Sequence, residues 1–509
     1  MDWLGKRLRP GKSVSPAFSL GWECPVDNGI TVVGLGPGDA NLLTREAWSL
    51  LSQAAEVYLR TGLHPVVEAL PSQLKINTFD SLYDELDSFE AVYASIVDRL
   101  LKLAVHSDAV LYGVPGDPTV GEATVAALRS RAQESEIPLH IVHGLSFCEP
   151  CLHLLGVDAL DGLFIADALE LAVRHHPMFP PDSPALIGQL YDRMVAADVK
   201  LTLMNQYPDE HRVVLLHESG TSKANLEELP LHRIDQSERI GSLTTLFVPA
   251  LEKSSAFESF QETVAHLRAP GGCPWDREQT HLSLRPHLME EAYETLNALD
   301  NEDMLSLQEE LGDLLLQIIL HAQIATEAGT FTMADVVAHV QEKIIRRHPH
   351  VFAGLDVDDV DQVLHNWESI KTAERKENAQ DKGLLDGVPL NFPALSQAAE
   401  IQARVVRVGF DWPDIGGVKA KIEEELQEVQ QAATATEQAG EIGDLLFAVV
   451  NYARWIDVDP EAALREANLR FRKRFRQIER EASKQGRTLS EMTLEEMDSL
   501  WEAAKSKEE

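Results

Sequence analysis

Two kinds of apolar patterning divide the chain. Up to about residue 250, short β-branched runs break into glycine-rich turns: ITVVGLGPGD at 30–39, AVLYGVPGDP at 109–118 and LHIVHGLS at 139–146. The stretch ANLLTREAWSLLSQAAEVYL (40–59) has helical spacing. Strand runs alternating with helical ones predict an α/β architecture. After about 185 the strand runs come closer together: KLTLMNQYP (200–208), RVVLLHES (212–219) and TTLFVPA (244–250). They predict a second α/β lobe, so that 29–251 is a two-lobed domain split near residue 140. Residues 1–28 mix Gly, Pro, Ser and basic residues without a period and read as a tail.

From about 252 onward helical periodicity dominates and strand patterns vanish. This half also repeats itself, the signature of duplicated units. Glu290-Glu291-x-x-Glu294 returns as Glu424-Glu425-x-x-Glu428, and Glu310-Leu-Gly-Asp313 returns as Glu441-Ile-Gly-Asp444. Trp367-x-x-x-Lys371 returns as Trp501-x-x-x-Lys505. The expected fold is therefore multidomain: a two-lobed α/β domain, then two all-α helical bundles at 252–376 and 396–509. A Pro/Gly-containing linker at 377–395 separates the bundles.

Composition narrows the function classes. A chain of 509 residues suits three or four domains, and 44% apolar with 25% charged residues is ordinary for globular proteins. The net charge of −37 repels phosphate backbones and anionic lipid, which disfavours general nucleic-acid binding and a polybasic membrane anchor. Four cysteines suit a reducing compartment. The first twenty residues hold no apolar signal core, and no apolar run approaches a membrane span. The expectation is a soluble, cytoplasmic protein with no membrane partner.

The repeated acids carry the chemistry. On a helix Glu424 and Glu428 lie one turn apart on one face, with Glu425 three residues before Glu428. Glu441 and Asp444 stand three apart on a following helix. Carboxylates brought that close raise each other's pKa or take a cation, and hard oxygen ligands suit Mg²⁺ or Mn²⁺. Asp444 runs directly into LLFAVV, where an unused charge is costly. A merely solvated acidic face is the competing explanation, and the repetition speaks against it. Basic residues accompany both copies: Arg470 and Arg474 in the second, Lys343 and Arg347 in the first. Beside a metal they suit phosphate oxygens, with Trp501 stacking on a base or serving the core.

The stretches GGCPWDREQTHLSLRPHLMEEAYE, EELGDLLLQIILHAQIA, RRHPHVFAG and NWESIKTAERK closely resemble the first domain of the MazG nucleoside triphosphate pyrophosphohydrolases. VGFDWPDIGG, EEELQEV, EIGDLLFAVVNYAR, ANLRFRKRFR and LWEAAK resemble the second. The resemblance implies all-α domains that form a homodimer, bind Mg²⁺ and cleave NTPs or dNTPs to monophosphate and pyrophosphate. It assigns Glu424, Glu425, Glu428, Glu441, Asp444 and Asn451 to catalysis. Metal ligation falls to Glu425, Glu428, Glu441 and Asp444, and in the first copy to Glu291, Glu294, Glu310 and Asp313. Substrate binding falls to Arg470, Arg474, Trp501 and Lys505, and to Lys343, Arg347, Trp367 and Lys371. Metals at these acids would lower the pKa of a bound water for attack at the α-phosphorus. The second copy has Asn451 where the first has Leu320, which marks the second as the working site.

GLGPGD (34–39) does not match the G-x-G-x-x-G of a dinucleotide fold. Together with YGVPGDPTVGE (112–122), HGLSF (143–147) and LTLMNQYP (201–208) it resembles the tetrapyrrole methyltransferases, which hold S-adenosylmethionine between two α/β lobes. Carried over, the cofactor contacts are Pro37, Pro115, Gly116, Asp117, Val120, Ser146, Phe147 and Met204. Phe147 stands where a small residue is usual and narrows the trough. Cys148-x-x-Cys151 reads as core rather than as half of a zinc site, and His348-Pro-His350 as a helix-ending turn. The sequence leaves two rivals to hydrolysis. One makes methylation primary, with the helical half a dimerisation or nucleotide-sensing module. The other makes both halves sensors without turnover.

Overall fold

A computed structural model of the chain describes residues 29–106, 109–357, 359–360, 362–363, 366–367, 369–370, 374, 383–390 and 392–506. The tail at 1–28, and residue 371 with it, lies outside the described residues. The chain divides into two compact units between Gly272 and Cys273.

The first unit holds two sheets. Strands β1 (Gly29–Gly34), β2 (Glu56–Leu59), β3 (Lys75–Thr78), β4 (Ala109–Val114) and β5 (Leu139–Val142) form the first, in the order β3-β2-β4-β1-β5. Every pairing in it is parallel. Helices α1 (Arg45–Gln53), α2 (Phe89–His106) and α3 (Ala123–Glu134) connect these strands. Their apolar faces bury β1 completely, as a strand covered on both sides requires. Parallel order also brings the carboxyl ends of β1, β2, β4 and β5 to one edge, where ligands of such sheets bind. After α4 (Cys148–Leu155) the second sheet follows. It contains β6 (Phe164–Asp167), β7 (Ala185–Gly188), β8 (Arg212–His217), β9 (Asn225–Pro230) and β10 (Thr244–Val248), in the order β6-β7-β10-β8-β9. Only β6 and β7 pair in parallel.

Two local expectations are corrected. EVYL at the end of the stretch read as helical is strand β2: Val57 and Leu59 are buried on one face and the strand pairs with β3 and β4. KLTLMNQYP is no strand. Helix α5 (Arg193–Leu203) runs into it, with Ala196, Val199 and Leu203 buried at spacings of three and four. Alternation over LTL fits either period, and the longer window settles it. The first unit also continues past 252. Helix α6 (Phe257–Arg268) belongs to it because Asp182 accepts from Ala256 N at 3.3 Å and from Ser259 Oγ at 2.6 Å.

The second unit is helical. The first copy contributes α7 (Arg285–Asp300), α8 (Met304–Glu327) and α9 (Met333–Arg347). The second contributes α10 (Ala394–Val406), α11 (Ile415–Gln431), α12 (Ala435–Trp455), α13 (Pro460–Lys484) and α14 (Leu494–Lys505). Three-residue turns join α7 to α8 and α11 to α12, so each pair is an antiparallel hairpin. Asp303 caps α8, and a Thr434–Glu437 capping box starts α12. Both copies belong to one compact unit, and Arg465 on α13 pairs with Asp300 of the first copy at 2.7 Å. No described helix is long and apolar enough to cross a membrane.

Candidate functional site

The α11–α12 hairpin brings the second acid set together. Carboxylate oxygens of Glu425, Glu428 and Glu441 lie within 4.8 Å of one another. Glu425 is only 4% exposed, its Oε1 sits 2.7 Å from Lys421 Nζ, and its Oε2 has no partner. Glu424 is exposed and pairs with the same lysine at 3.0 Å. Hydrogen bonds to Glu425 and Glu424 raise the Lys421 pKa. Desolvation by its neighbours, then the charges of Glu425 and Glu441, raise the pKa of the exposed Glu428. An all-oxygen set with one buried, unspent carboxylate oxygen fits a hard divalent cation. Lys421 was not singled out in the sequence, although its place one turn before Glu425 is the signal that could have found it.

Beside these acids opens a cleft of about 490 Å³. Lys421, Glu425, Asp444 and Asn451 line its polar side, and Phe410, Trp412, Val418 and Phe447 its apolar side. Trp412 packs closely on α11 because Gly417 has no side chain: a Cβ there would meet the indole at 2.6 Å. Asn451 Oδ1 accepts from Arg454 Nη2 at 2.8 Å and from Nε at 3.1 Å. Arg454 Nη2 also donates to Asp411 at 2.6 Å, and its guanidinium lies over Trp455.

The first copy reproduces the acids and replaces the asparagine. Glu291, Glu310 and Asp313 bring their oxygens within 4.8 Å. Burial, then the charges of Asp313 and Glu294, raise the Glu291 pKa, so Glu294 sits close enough to add its field. Glu290 pairs with His287 at 3.6 Å. The position of Asn451 is taken by Leu320, which is buried, and His321 stacks on His281 beside it.

The expected phosphate-binding residues do not line the cleft of their own chain. Arg474 lies over Trp501 at 5.5 Å, Arg470 pairs with Glu466 at 3.3 Å and Lys505 with Glu502 at 3.8 Å. Their helices, α13 and α14, pack mainly on each other. In the first copy Arg347 pairs with Glu374 at 2.7 Å and lies over Trp367, Lys343 stands on α9, and Lys371 is outside the described residues.

In the first unit the loops at the carboxyl edge pack backbone on backbone. A Cβ on Gly34 would meet Gly144 N at 2.6 Å, and one on Gly144 would meet Gly116 O at 2.3 Å. The glycines therefore serve loop-on-loop packing. Pro37, Pro115, Gly116, Val120 and Phe147 line a cleft of about 130 Å³. Three expected contacts do not. Asp117 is spent on Thr119 N, Gly144 N and His143. Ser146 bonds Glu149 and Cys148 N at the start of α4. Met204 packs against the core of the second sheet. The lining instead includes Arg60, His64, Glu122, Gln189 and Tyr191, which the sequence did not mark. Arg60 pairs with the buried Glu122 at 3.1 Å. Cys148 and Cys151 are buried free thiols in the core, and His348 ends α9, as expected.

His64 is 5% exposed and its Nδ1 accepts from Val66 N at 3.3 Å. Burial pushes its pKa from 6.5 down to about 4. The unfolded chain then binds the proton more readily. Stability is expected to be lost as pH falls from 6.5 toward about 4, by about 3 kcal/mol in all. Denaturant series across that window check this, since in His64→Gln the loss should shrink by that amount.

Comparisons with known proteins agree with this layout. Residues 29–235 match the tetrapyrrole (corrin/porphyrin) methylases and 279–352 the MazG nucleotide pyrophosphohydrolase domain. Residues 406–471 match phosphoribosyl-ATP pyrophosphohydrolase. The uncharacterized protein YabN of Bacillus subtilis (strain 168) is 42% identical over 493 residues, 94% of this chain and 99% of that protein. The nucleoside triphosphate pyrophosphohydrolase/pyrophosphatase MazG of Thermotoga maritima is 47% identical over 261 residues, 51% of this chain and 99% of its own. The nucleoside triphosphate pyrophosphohydrolase of Escherichia coli (strain K12) is 44% identical over 248 residues, 48% of this chain and 94% of its own.

Proposed function

The chain belongs to the MazG nucleotide pyrophosphohydrolase family, with a tetrapyrrole methylase domain in front, and on that premise we propose that it hydrolyses nucleoside triphosphates to monophosphate and pyrophosphate. The observation that carries the proposal is the buried Glu425, with one oxygen on Lys421 and the other without a partner, at the polar side of a cleft that is apolar opposite. Glu425, Glu428 and Glu441, joined by Asp444, would hold Mg²⁺ or Mn²⁺, which when bound neutralises triphosphate charge and lowers the pKa of water. Lys421 holds Glu425 in place and offers a cation beside the phosphates. Trp412 and Phe447 would give the base an apolar wall.

The same proposal includes a homodimer through the helical unit. Leu426, Ile442, Leu446 and Val449 are exposed on α11 and α12, an apolar surface that a second copy would cover. Arg470, Arg474, Trp501 and Lys505 would then serve the cleft of the other copy. In the first unit a cleft of about 130 Å³ lies below the roughly 300–1,000 Å³ of small-molecule sites, and Arg60, Glu122 and Phe147 occupy its walls. S-adenosylmethionine does not fit a cleft of this size with those side chains in place.

A panel of NTPs and dNTPs with Mg²⁺, resolved by ion exchange, tests the reading on the full chain. Monophosphate plus pyrophosphate, lost on chelation, is the expected result. Diphosphate plus orthophosphate, or no turnover, overturns it.

A further inference from the structure

Arginine carries five N–H donors and no acceptor, so the atom of Asn451 that faces Arg454 must be the carboxamide oxygen. Both close contacts, at 2.8 and 3.1 Å, fall on that one oxygen. The guanidinium is itself tethered by Asp411 at 2.6 Å, and Asp411 also accepts from Trp412 N at 2.9 Å and Trp455 Nε1 at 3.3 Å. The amide cannot flip without setting its NH₂ against a cation. Its two N–H donors therefore point away from Arg454, and Asn451, Arg454 and Asp411 all line the same cleft as Glu425 and Asp444.

We propose that Arg454 is a positioning residue. Held by Asp411, it fixes Asn451 as a donor-only group for an acceptor atom of the nucleoside. This rests on the hydrolase reading above. Asn451 follows Asp444 by seven residues on α12, about 10 Å along the axis and within about 20° of the same face. A nucleotide with its phosphates at the acids and its nucleoside along the helix reaches the amide. Every nucleobase carries acceptor atoms, so the contact anchors the nucleoside without selecting one base. The first copy has Leu320 and Gln323 at the corresponding places and no such fork.

Steady-state kinetics on the full chain, with Mg²⁺ and a triphosphate that the wild type turns over, test this. Arg454→Met and Asn451→Ala are each expected to raise KM about tenfold while kcat moves less than about threefold, the scale of one hydrogen bond to the substrate. The double variant should be no worse than the weaker-binding single, because both remove one interaction. Arg454→Lys should not restore KM, since a point charge cannot fork over one oxygen. Effects that multiply, or that fall on kcat, overturn the inference while leaving the hydrolase reading intact. A wild type without turnover overturns both. If Arg454→Met does not fold, Asn451→Asp keeps the pairing with Arg454 and removes the donors. Its KM is expected to rise at least as much as that of Asn451→Ala, and an unchanged KM overturns the proposal.

Discussion

Glu425→Gln is expected to lower kcat/KM for triphosphate hydrolysis by about 10³-fold or more, the scale of losing a preorganised charged group from an active site. The chain should melt no earlier than the wild type. Glu425 is the most buried carboxylate of its cluster, and one oxygen makes no hydrogen bond. Folding alone gains little from such a group, because an unspent buried oxygen costs free energy. Glutamine keeps the shape and removes the charge, and Lys421 retains Glu424 at 3.0 Å. The two readouts move apart only if the carboxylate serves chemistry. Lost activity together with an early melt would mean that Glu425 is structural. Near-wild-type turnover would remove it from the metal set. Glu291→Gln is expected to cost less, because the first copy has no counterpart to Asn451 and its fork; a larger loss there would make the first copy the working one.

Glu122→Leu is expected to destabilise the α/β unit by about 3–5 kcal/mol, since it leaves the Arg60 cation buried without its partner. Glu122 is 2% exposed at the side chain and Arg60 19%. Thr124 Oγ1 donates to Glu122 at 2.7 Å and meets the Tyr112 hydroxyl at 2.9 Å, so with Arg60 both carboxylate oxygens have a partner. Burial pushes the nearby Tyr83 up to about 12. Removing both charges in Arg60→Met with Glu122→Leu should return most of the loss. Hydrogen exchange at β1 and β4 amides isolates this unit from the helical one. A loss below about 1 kcal/mol for the single change would mean that water enters and solvates Arg60.

The helical half was legible because its information is periodic. Acids at fixed spacing on two predicted helices need only a short turn to meet, and 301–303 and 432–434 supply it. The α/β half was legible in its strand–turn segments and misread where windows were short. EVYL carries too few residues to separate the two periods, and only its pairing with β3 and β4 decides. Cleft residues such as Arg60, His64 and Gln189 follow strands or turns and meet through the sheet order, which no local pattern encodes. Lys421 and Arg454 belong to a third kind. Each is visible as a residue three or four positions from a marked one, and becomes informative only when geometry shows which oxygen it holds.

The Asp300–Arg465 ion pair changes how phenotypes in this chain are to be interpreted. Because it joins the repeats inside one compact unit, a change that loosens one repeat is expected to lower the stability of its neighbour. An inactivating change near Asp300 is thus not proof of chemistry in the first repeat. What duplication made as two copies now behaves, for mutational genetics, as one inherited object.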